Sequence, residues 1–554
     1  MKLVKKILGS EGLLLFLLVA IVAFSYIKVL NGFFQQDEWY GFGWYFLHKS
    51  MTATESVKFF FTPSVGHYNP LTLAFQQLLF SLWGPDYIKF AVLGVILHLG
   101  VVTAVYYFSK ILFKGNRLLS FTTALLFGIL ASTYQGVAWV TVNISTLGAA
   151  LTGLVSSIFF FTFLGKRRSR YLIWSLVFLI ISLFFKETTI GLFPLFFIIL
   201  LRRNKWKLQR DHILIAGFGM SYVLARLAML LAPNLGGDKL VSQSQSVYNI
   251  FYNFLTLPPK ALSQALLSSD LLKGISFILT SVLPESIRGV FGSPEFEAFA
   301  VLKVMEMLSL IIGFGVIVYV AKKFTGDYET VFLGLVWTGV NSLIFSLAPE
   351  TSQTITAIDS RNLYFSSIGL AILVISVVHH AVKGNLSKFI LIVIPLIIFN
   401  LFLLNRELSH FVEVGVIRKS ILERITGQYP DLPRKTIFYT ISDISYYGLP
   451  KEEKILPFQS GFGQALLVWY YPRENIPDSF FENRFLWEIQ DQGYREFDGW
   501  GFGYFRNYEL LIRTVREYNL ESNSVIAFSW DHNTGSLADM TSEVRKQLDE
   551  EINR

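Results

Sequence analysis

Residues 87–117 read YIKFAVLGVILHLGVVTAVYYFSKILFKGNR. Between Tyr87 and Phe113 the only charged side chains are Lys89 near one end and Lys110 near the other. As a helix this run rises about 40 Å, more than the ~30 Å hydrocarbon core of a bilayer. Such a run reads as a membrane-spanning helix, and the Lys110/Lys114/Arg117 cluster that closes it reads as a surface anchor.

Working outward, the same pattern recurs. Apolar runs at 13–30, 87–113, 118–140, 144–165, 171–185, 188–201, 212–232, 298–321, 330–348, 362–382 and 388–404 predict about eleven transmembrane helices. Two of them, 171–185 and 188–201, are short for the bilayer core. They read as a re-entrant pair or as two tilted spans meeting at Lys186-Glu187. Composition agrees. Of 554 residues, 53% are hydrophobic and only 16% charged, against about 25% charged in soluble chains. Mean hydropathy is +0.48. Aromatic residues make up 16%, 52 of them Phe, which suits lipid-facing and interfacial surface. The chain has no Cys, which excludes disulfides, cysteine metal sites and thiol catalysis.

The net charge of +8 comes from short basic clusters between apolar runs, so it points to topology and not to a nucleic-acid partner. The clusters are Lys2/Lys5/Lys6, Lys110/Lys114/Arg117, Lys166/Arg167/Arg168/Arg170, Arg202/Arg203/Lys205/Lys207/Arg210, Lys322/Lys323 and Lys383/Lys388. Each follows an even number of expected spans. By the positive-inside rule all six lie in the cytoplasm, the N-terminus is inside, and everything after about residue 405 is outside. The apolar run at 13–30 is too long for a signal peptide and no small-x-small site follows, so it is expected to stay as an uncleaved first helix. The expected location is the plasma membrane, multi-pass.

Two outer loops are long, 31–86 and 233–297. In the second, 248–257 and 274–283 read as interfacial or re-entrant helices broken by Pro258-Pro259. From Asn405 onward charges rise and apolar runs shorten. Residues 1–405 are thus expected to form the membrane domain, and 406–554 a small extracytoplasmic α/β domain. Its expected strands are Lys435–Ser442, Gln464–Tyr471 and Ser524–Trp530, and its expected polar helix is Met540–Asn553. Ser460-Gly-Phe-Gly and Trp500-Gly-Phe-Gly are a short echo, and neither has the last glycine and following helix of a nucleotide loop.

Chemistry-bearing side chains are few. Gln36-Asp37-Glu38-Trp39 puts two acids just after the first span. A carboxylate there can take a proton from an acceptor hydroxyl, or can simply be a solvated acid at a helix start. His67-Tyr68-Asn69-Pro70 is a weaker signal, since Pro70 can merely open a helix. Lys89, Lys186-Glu187, Arg226 and Arg361 are ionisable groups in or near the apolar runs, where charge is costly and marks function by default. Lys89 can also snorkel, Lys186 and Glu187 can neutralise each other, and Arg226 and Arg361 can be interfacial anchors. No Walker A loop, zinc motif or nucleophile elbow stands in a credible context.

Five segments taken in order resemble the membrane-embedded GT-C glycosyltransferases, most closely the transmembrane O-mannosyltransferase branch that in animals carries TPR repeats, and its bacterial relatives. They are Gln36-Asp37-Glu38-Trp39; His67-Tyr-Asn-Pro-Leu-Thr with Leu82-Trp-Gly-Pro and His98-Leu; Val137-Ala-Trp139; Phe185-Lys186-Glu187-Thr188; and Ser360-Arg361-Asn362-Leu363-Tyr364 with Ser367-Ile-Gly369. The resemblance covers about residues 1–405. It implies a polyprenyl-phosphate sugar donor, a hydroxyl acceptor on a protein, glycan or lipid at the outer face, and inverting transfer with Asp37 as base and Glu38 beside it. His67, Gln135, Lys186, Glu187, Arg361 and Tyr364 fall at its substrate-binding positions. The chain departs from the family in three places. Gln135 stands where an acid is usual, no acid stands near Asn143-Ile-Ser145, and Asn69 replaces an arginine. No cofactor is required on this reading, and a divalent cation stays open. TPR repeats are absent, and 406–554 matches no named module. Two other functions fit the same composition. One is a transporter or flippase of lipid-linked sugars, which would usually show matched Gly/Pro-broken repeats that are not seen. The other is a non-catalytic scaffold displaying the C-terminal domain.

Overall fold

The computed structural model describes residues 10–35, 37–62, 68–231, 247–282, 294–324, 329–347, 355–442, 462–472, 476–482, 492–531 and 533–552. The chain forms two compact units. One comprises Met1–Ile27, Val57–Phe75 and Ala91–Ser409; the other comprises Lys28–Ser56, Gln76–Phe90 and His410–Arg554.

The first unit is helical. The described residues of the apolar runs are mostly helical, and eight helices among them are long and apolar enough to cross a membrane, or up to ten if each of two bent pairs is one span. The chain begins with α1 (Glu11–Ser25), whose N-terminus is capped by Ser10. Four further helices, α2 (Asp37–His48), which belongs to the second unit, α3 (Ala53–Phe60), α4 (Pro70–Trp83) and α5 (Tyr87–Leu112), lead to α6 (Arg117–Ile129) and α7 (Tyr134–Ala138). The run at 118–140, read as one span, is broken at Leu130, with α6 and α7 bent by 64°. Backbone groups freed by a break inside a membrane must find partners. The carbonyl of Gly128 finds the Nε2 of His98 at 3.0 Å. Because a carbonyl only accepts, Nε2 carries the proton, and Nδ1 accepts from the Tyr364 hydroxyl at 2.7 Å. Ser132 meets Ser367 at 2.9 Å, and Thr133 meets Tyr26 at 2.7 Å. The break is a tertiary feature, and nothing in its own apolar run announces it.

Next come α8 (Val140–Lys166), packed against α9 (Ser169–Phe185), then a 3₁₀ turn at Glu187–Gly191, α10 (Leu192–Arg203) and α11 (Arg210–Leu231). The short pair expected at 171–201 is α9 and α10, joined where Lys186 is fully extended. Helix α12 (Val247–Leu267) differs from expectation. It runs unbroken through Pro258-Pro259, and the 93° bend falls at Ser268 (φ 59°), where α13 (Ser269–Ser281) begins. Packing outweighs the two lost N–H donors. Gly313 of α14 (Pro294–Lys323) lies so close that a Cβ there would fall 2.0 Å from the Pro259 carbonyl oxygen. Helices α15 (Glu329–Leu343) and α16 (Ser360–Ala381) meet through small residues, as membrane helices do. A Cβ on Gly334 would sit 2.7 Å from the Gly369 oxygen, and one on Gly369 would sit 2.8 Å from the Gly334 oxygen. Trp337 seals this seam by donating to the Phe365 carbonyl at 2.9 Å. The last helix of the membrane-type run, α17, spans Leu386–Gln428.

The second unit holds a five-stranded sheet in the order β2-β3-β1-β4-β5. Strand β1 (Lys435–Ser442) is central and parallel to β3 (Trp500–Phe505) and β4 (Val525–Asp531). Strands β2 (Gly493–Phe497) and β5 (Ser536–Asp539) are antiparallel edges. On one face α20 (Tyr508–Glu517) and α21 (Thr541–Ile552) bury Leu511, Val515, Val544 and Leu548 against Ile437, Val525 and Ala527. On the other, α18 (Phe462–Tyr470) lies over Phe438 and Tyr504, and the short α19 (Ser479–Glu482) follows it. The strand expected at Gln464–Tyr471 is therefore a helix. Phe462–Val468 are buried all round, because α18 is wedged between the sheet and α2, so the run shows no helical periodicity to read. The strands at 435–442 and 524–530 and the C-terminal helix stand as expected. In the Trp500-Gly-Phe-Gly segment the glycines make room for Tyr494 on the neighbouring strand: a Cβ on Gly501 would lie 1.8 Å from the Tyr494 hydroxyl. Ser460-Gly461 lies outside the described residues.

Candidate functional site

In the second unit, Asp37 and Glu38 open α2, where acids are favoured by the helix dipole. Their environments differ: Asp37 is exposed, and Glu38 is fully buried. Glu38 lies within electrostatic reach of the Tyr87 hydroxyl, which donates to the Val29 carbonyl at 3.0 Å. The next residue, Trp39, packs in an aromatic cluster with Phe33, Phe34, Phe42 and Trp469. The arginine of Arg418 donates to the Gln35 side chain beside the motif. Lys89 pairs with Asp86 at 3.1 Å at the surface. Gln36 and His67 lie outside the described residues.

In the first unit, residues far apart in sequence gather around three cations. Glu187 accepts the Tyr68 amide at 2.6 Å and lies 3.4 Å from Arg226, whose guanidinium also faces the Tyr68 ring at 5.6 Å. Lys186 donates to Thr146 at 3.0 Å and is within electrostatic reach of Arg361 and Glu187. Arg361 stacks over Trp139 at 4.5 Å and pairs with Asp359 at 3.3 Å. Gln135 has a definite role: it takes the Arg361 amide on Oε1 at 3.2 Å while its own amide donates to Ser360 at 3.1 Å. It thus caps α16, whose N-cap residue Asp359 makes no side-chain cap bond. An amide oxygen caps without adding negative charge beside Arg361. Among the described residues the cluster brings Lys186, Arg226 and Arg361 together with Glu187 and Asp359, a cation-rich group of the kind that suits an anion. Tyr364 stands apart from it, fully buried with its hydroxyl held by His98.

Sequence reasoning missed what holds Arg361 in place. The backbone of 355–358, just before α16, is tied to one face of α12. Asn253 accepts the Ile355 amide at 2.9 Å, Lys260 donates to the Ile355 carbonyl at 2.7 Å, and Gln264 donates to the Thr356 carbonyl at 2.9 Å and accepts the Ile358 amide at 2.8 Å. Ser269 adds a bond to the Ile358 carbonyl at 3.1 Å. Lys260, fully buried, is neutralised by Glu306 of α14 at 2.5 Å, which also meets Lys303 at 2.9 Å and Tyr252 at 3.1 Å. The signal was present: Lys303 and Glu306 are charges inside an apolar run. A second missed pair is Asp270 and Glu407, two carboxyl groups brought close enough to repel each other. Among the described residues no three His, Asp or Glu side chains gather to hold a metal ion.

Among known proteins, no family model and no curated relative matches this chain.

Proposed function

We propose that the chain is a GT-C-type membrane glycosyltransferase, moving a sugar with inversion from a polyprenyl-phosphate donor to a hydroxyl acceptor on a protein, glycan or lipid at the outer membrane face. One observation supports this above the others. Four of the five motif segments that carry the resemblance contribute Tyr68, Trp139, Lys186-Glu187 and Ser360-Arg361 to one cation-rich cluster in a unit built of apolar helices. On this reading Arg361, helped by Lys186, holds the donor phosphate, where its planar fork suits two oxygens at once. Asp37 takes the acceptor proton as the acceptor oxygen bonds to the anomeric carbon and the bond from that carbon to phosphate breaks. The phosphate leaves already anionic, so no general acid is required, which accommodates Gln135 at a position where the family has an acid. Glu38, being buried, steers Asp37 or the acceptor. This reading keeps the orientation that the basic clusters support, with the N-terminus in the cytoplasm and 406–554 outside the plasma membrane.

The test is incubation of the purified chain with radiolabelled polyprenyl-phosphate sugars and a membrane extract. A labelled product is expected, and Asp37→Asn should cut its formation by about 10²–10⁴-fold, as removal of a general base does, with Glu38→Gln milder. Wild-type turnover by Asp37→Asn when chemistry limits the rate refutes the assignment. Transfer of label across the bilayer without a new glycosidic bond supports transport instead.

A further inference from the structure

The two largest basic clusters were read from sequence only as topology markers. In the fold they belong to one surface. The turn between α8 and α9 (166–170) and the connection between α10 and α11 (202–210) lie at the same end of neighbouring helices, and Arg167 donates to the Asn204 side chain across them at 3.2 Å. Together these fourteen residues carry nine Lys and Arg and no acid. The surroundings are apolar. Ile173 and Trp174, within about a turn of Arg170, are 60% and 51% exposed, and Ile213, three residues after Arg210, is 71% exposed. In the connection itself Trp206 and Leu208, flanking Lys207, are each 70% exposed. Large apolar side chains left open beside a helix end face lipid, and tryptophan favours the headgroup layer. One turn of helix rises 5.4 Å, so the guanidinium and ammonium groups stand at headgroup depth.

We infer that this surface is a binding site for the phosphodiester headgroup of an anionic phospholipid, with Arg167, Arg168, Lys205 and Lys207 supplying charge and Trp206 resting at the level of the headgroups. A soluble polyanion would use the charges but gain nothing from the adjoining apolar rim. The inference does not depend on the glycosyltransferase reading.

The purified full chain in non-ionic detergent is titrated with short-chain phosphatidylglycerol, counting bound lipid by native mass spectrometry. Each basic group near an anionic headgroup is worth roughly fivefold in affinity. Lys205→Gln/Lys207→Gln should therefore weaken phosphatidylglycerol binding about 25-fold, and adding Arg167→Gln/Arg168→Gln should abolish it. Lys383→Gln/Lys388→Gln, in another basic connection, should stay within twofold of wild type. The two-lysine variant changes only exposed connection residues, so it keeps the test open should the fourfold variant fold poorly. The inference falls if that variant binds like wild type, if the control loses as much, if phosphatidylcholine binds equally well, or if millimolar inorganic phosphate displaces the lipid.

Discussion

Replacing Lys260 by Met should be among the most damaging single changes in the first unit, out of proportion to its distance from the resemblance motifs. The side chain is wholly buried and makes two bonds, to Glu306 at 2.5 Å and to the Ile355 carbonyl at 2.7 Å. Removing one partner of a buried ion pair costs about 3–5 kcal/mol, because the other charge stays buried. Here Glu306 keeps Tyr252 at 3.1 Å and Lys303 at 2.9 Å, which places the cost at the lower end. The orphaned carbonyl adds roughly 1–3 kcal/mol, so a total of about 4 kcal/mol is expected. Lys303→Met removes a half-exposed partner and should cost about 1 kcal/mol or less. Lys260→Met/Glu306→Leu leaves no fully buried charge uncompensated, Lys303 being half-exposed, so it should recover about half of the single-mutant loss, the Ile355 carbonyl and Tyr252 hydroxyl losing their partners. Equilibrium unfolding in mixed SDS–detergent micelles measures all three. The reasoning is refuted if Lys260→Met and Lys303→Met are equally mild, or if the double variant is less stable than Lys260→Met.

Other expectations follow from the same geometry. Arg361→Lys keeps the charge but loses the fork and the stacking on Trp139, so on the proposed reading it should raise the donor KM at least tenfold; unchanged donor kinetics in Arg361→Ala would remove Arg361 from the site. A reporter active only outside the cytoplasm should work when fused after 405 or 554 and stay silent after 168 or 205, and activity at 205 overturns the orientation. Burial pushes the Asp539 carboxyl up, but bonds from the Thr541 hydroxyl and amide and the Tyr429 hydroxyl, with the charge of Arg545, hold it below the ordinary aspartate value. The contribution of Asp539 to stability is therefore complete above that ordinary value and is lost as pH falls through the lower folded one. Asp539→Asn should flatten the acid limb of the pH–stability curve, and an unaltered limb would count against this account.

The helical, membrane-type character of the first unit was legible in the chain alone, and the reason is local. A membrane helix satisfies its backbone within itself, so length and scarcity of charge are enough to find it; the run from Tyr87 to Phe113 needed no neighbour to be read. The same locality made Lys435–Ser442 and Ser524–Trp530 readable as strands, since β-branched and aromatic residues bounded by turns carry their own signal. The motif residues Lys186, Glu187 and Arg361 were legible too, as charges in apolar surroundings. Everything that depends on a distant partner had to wait for the fold. The break at Leu130 is held by His98 and Tyr364 from other helices, and the unbroken course of α12 through Pro258-Pro259 accompanies close packing by Gly313. Gln464–Tyr470 is helix and not strand, and its near-complete burial erases the period that would have told them apart. Gln135 reads in sequence as a missing acid and in the structure as the cap of α16. Lys260 and Glu306 look like isolated charges until α12 and α14 bring them within 2.5 Å. Burial, capping and ion pairing are properties of pairs of residues, and which pairs meet is settled only when the helices pack.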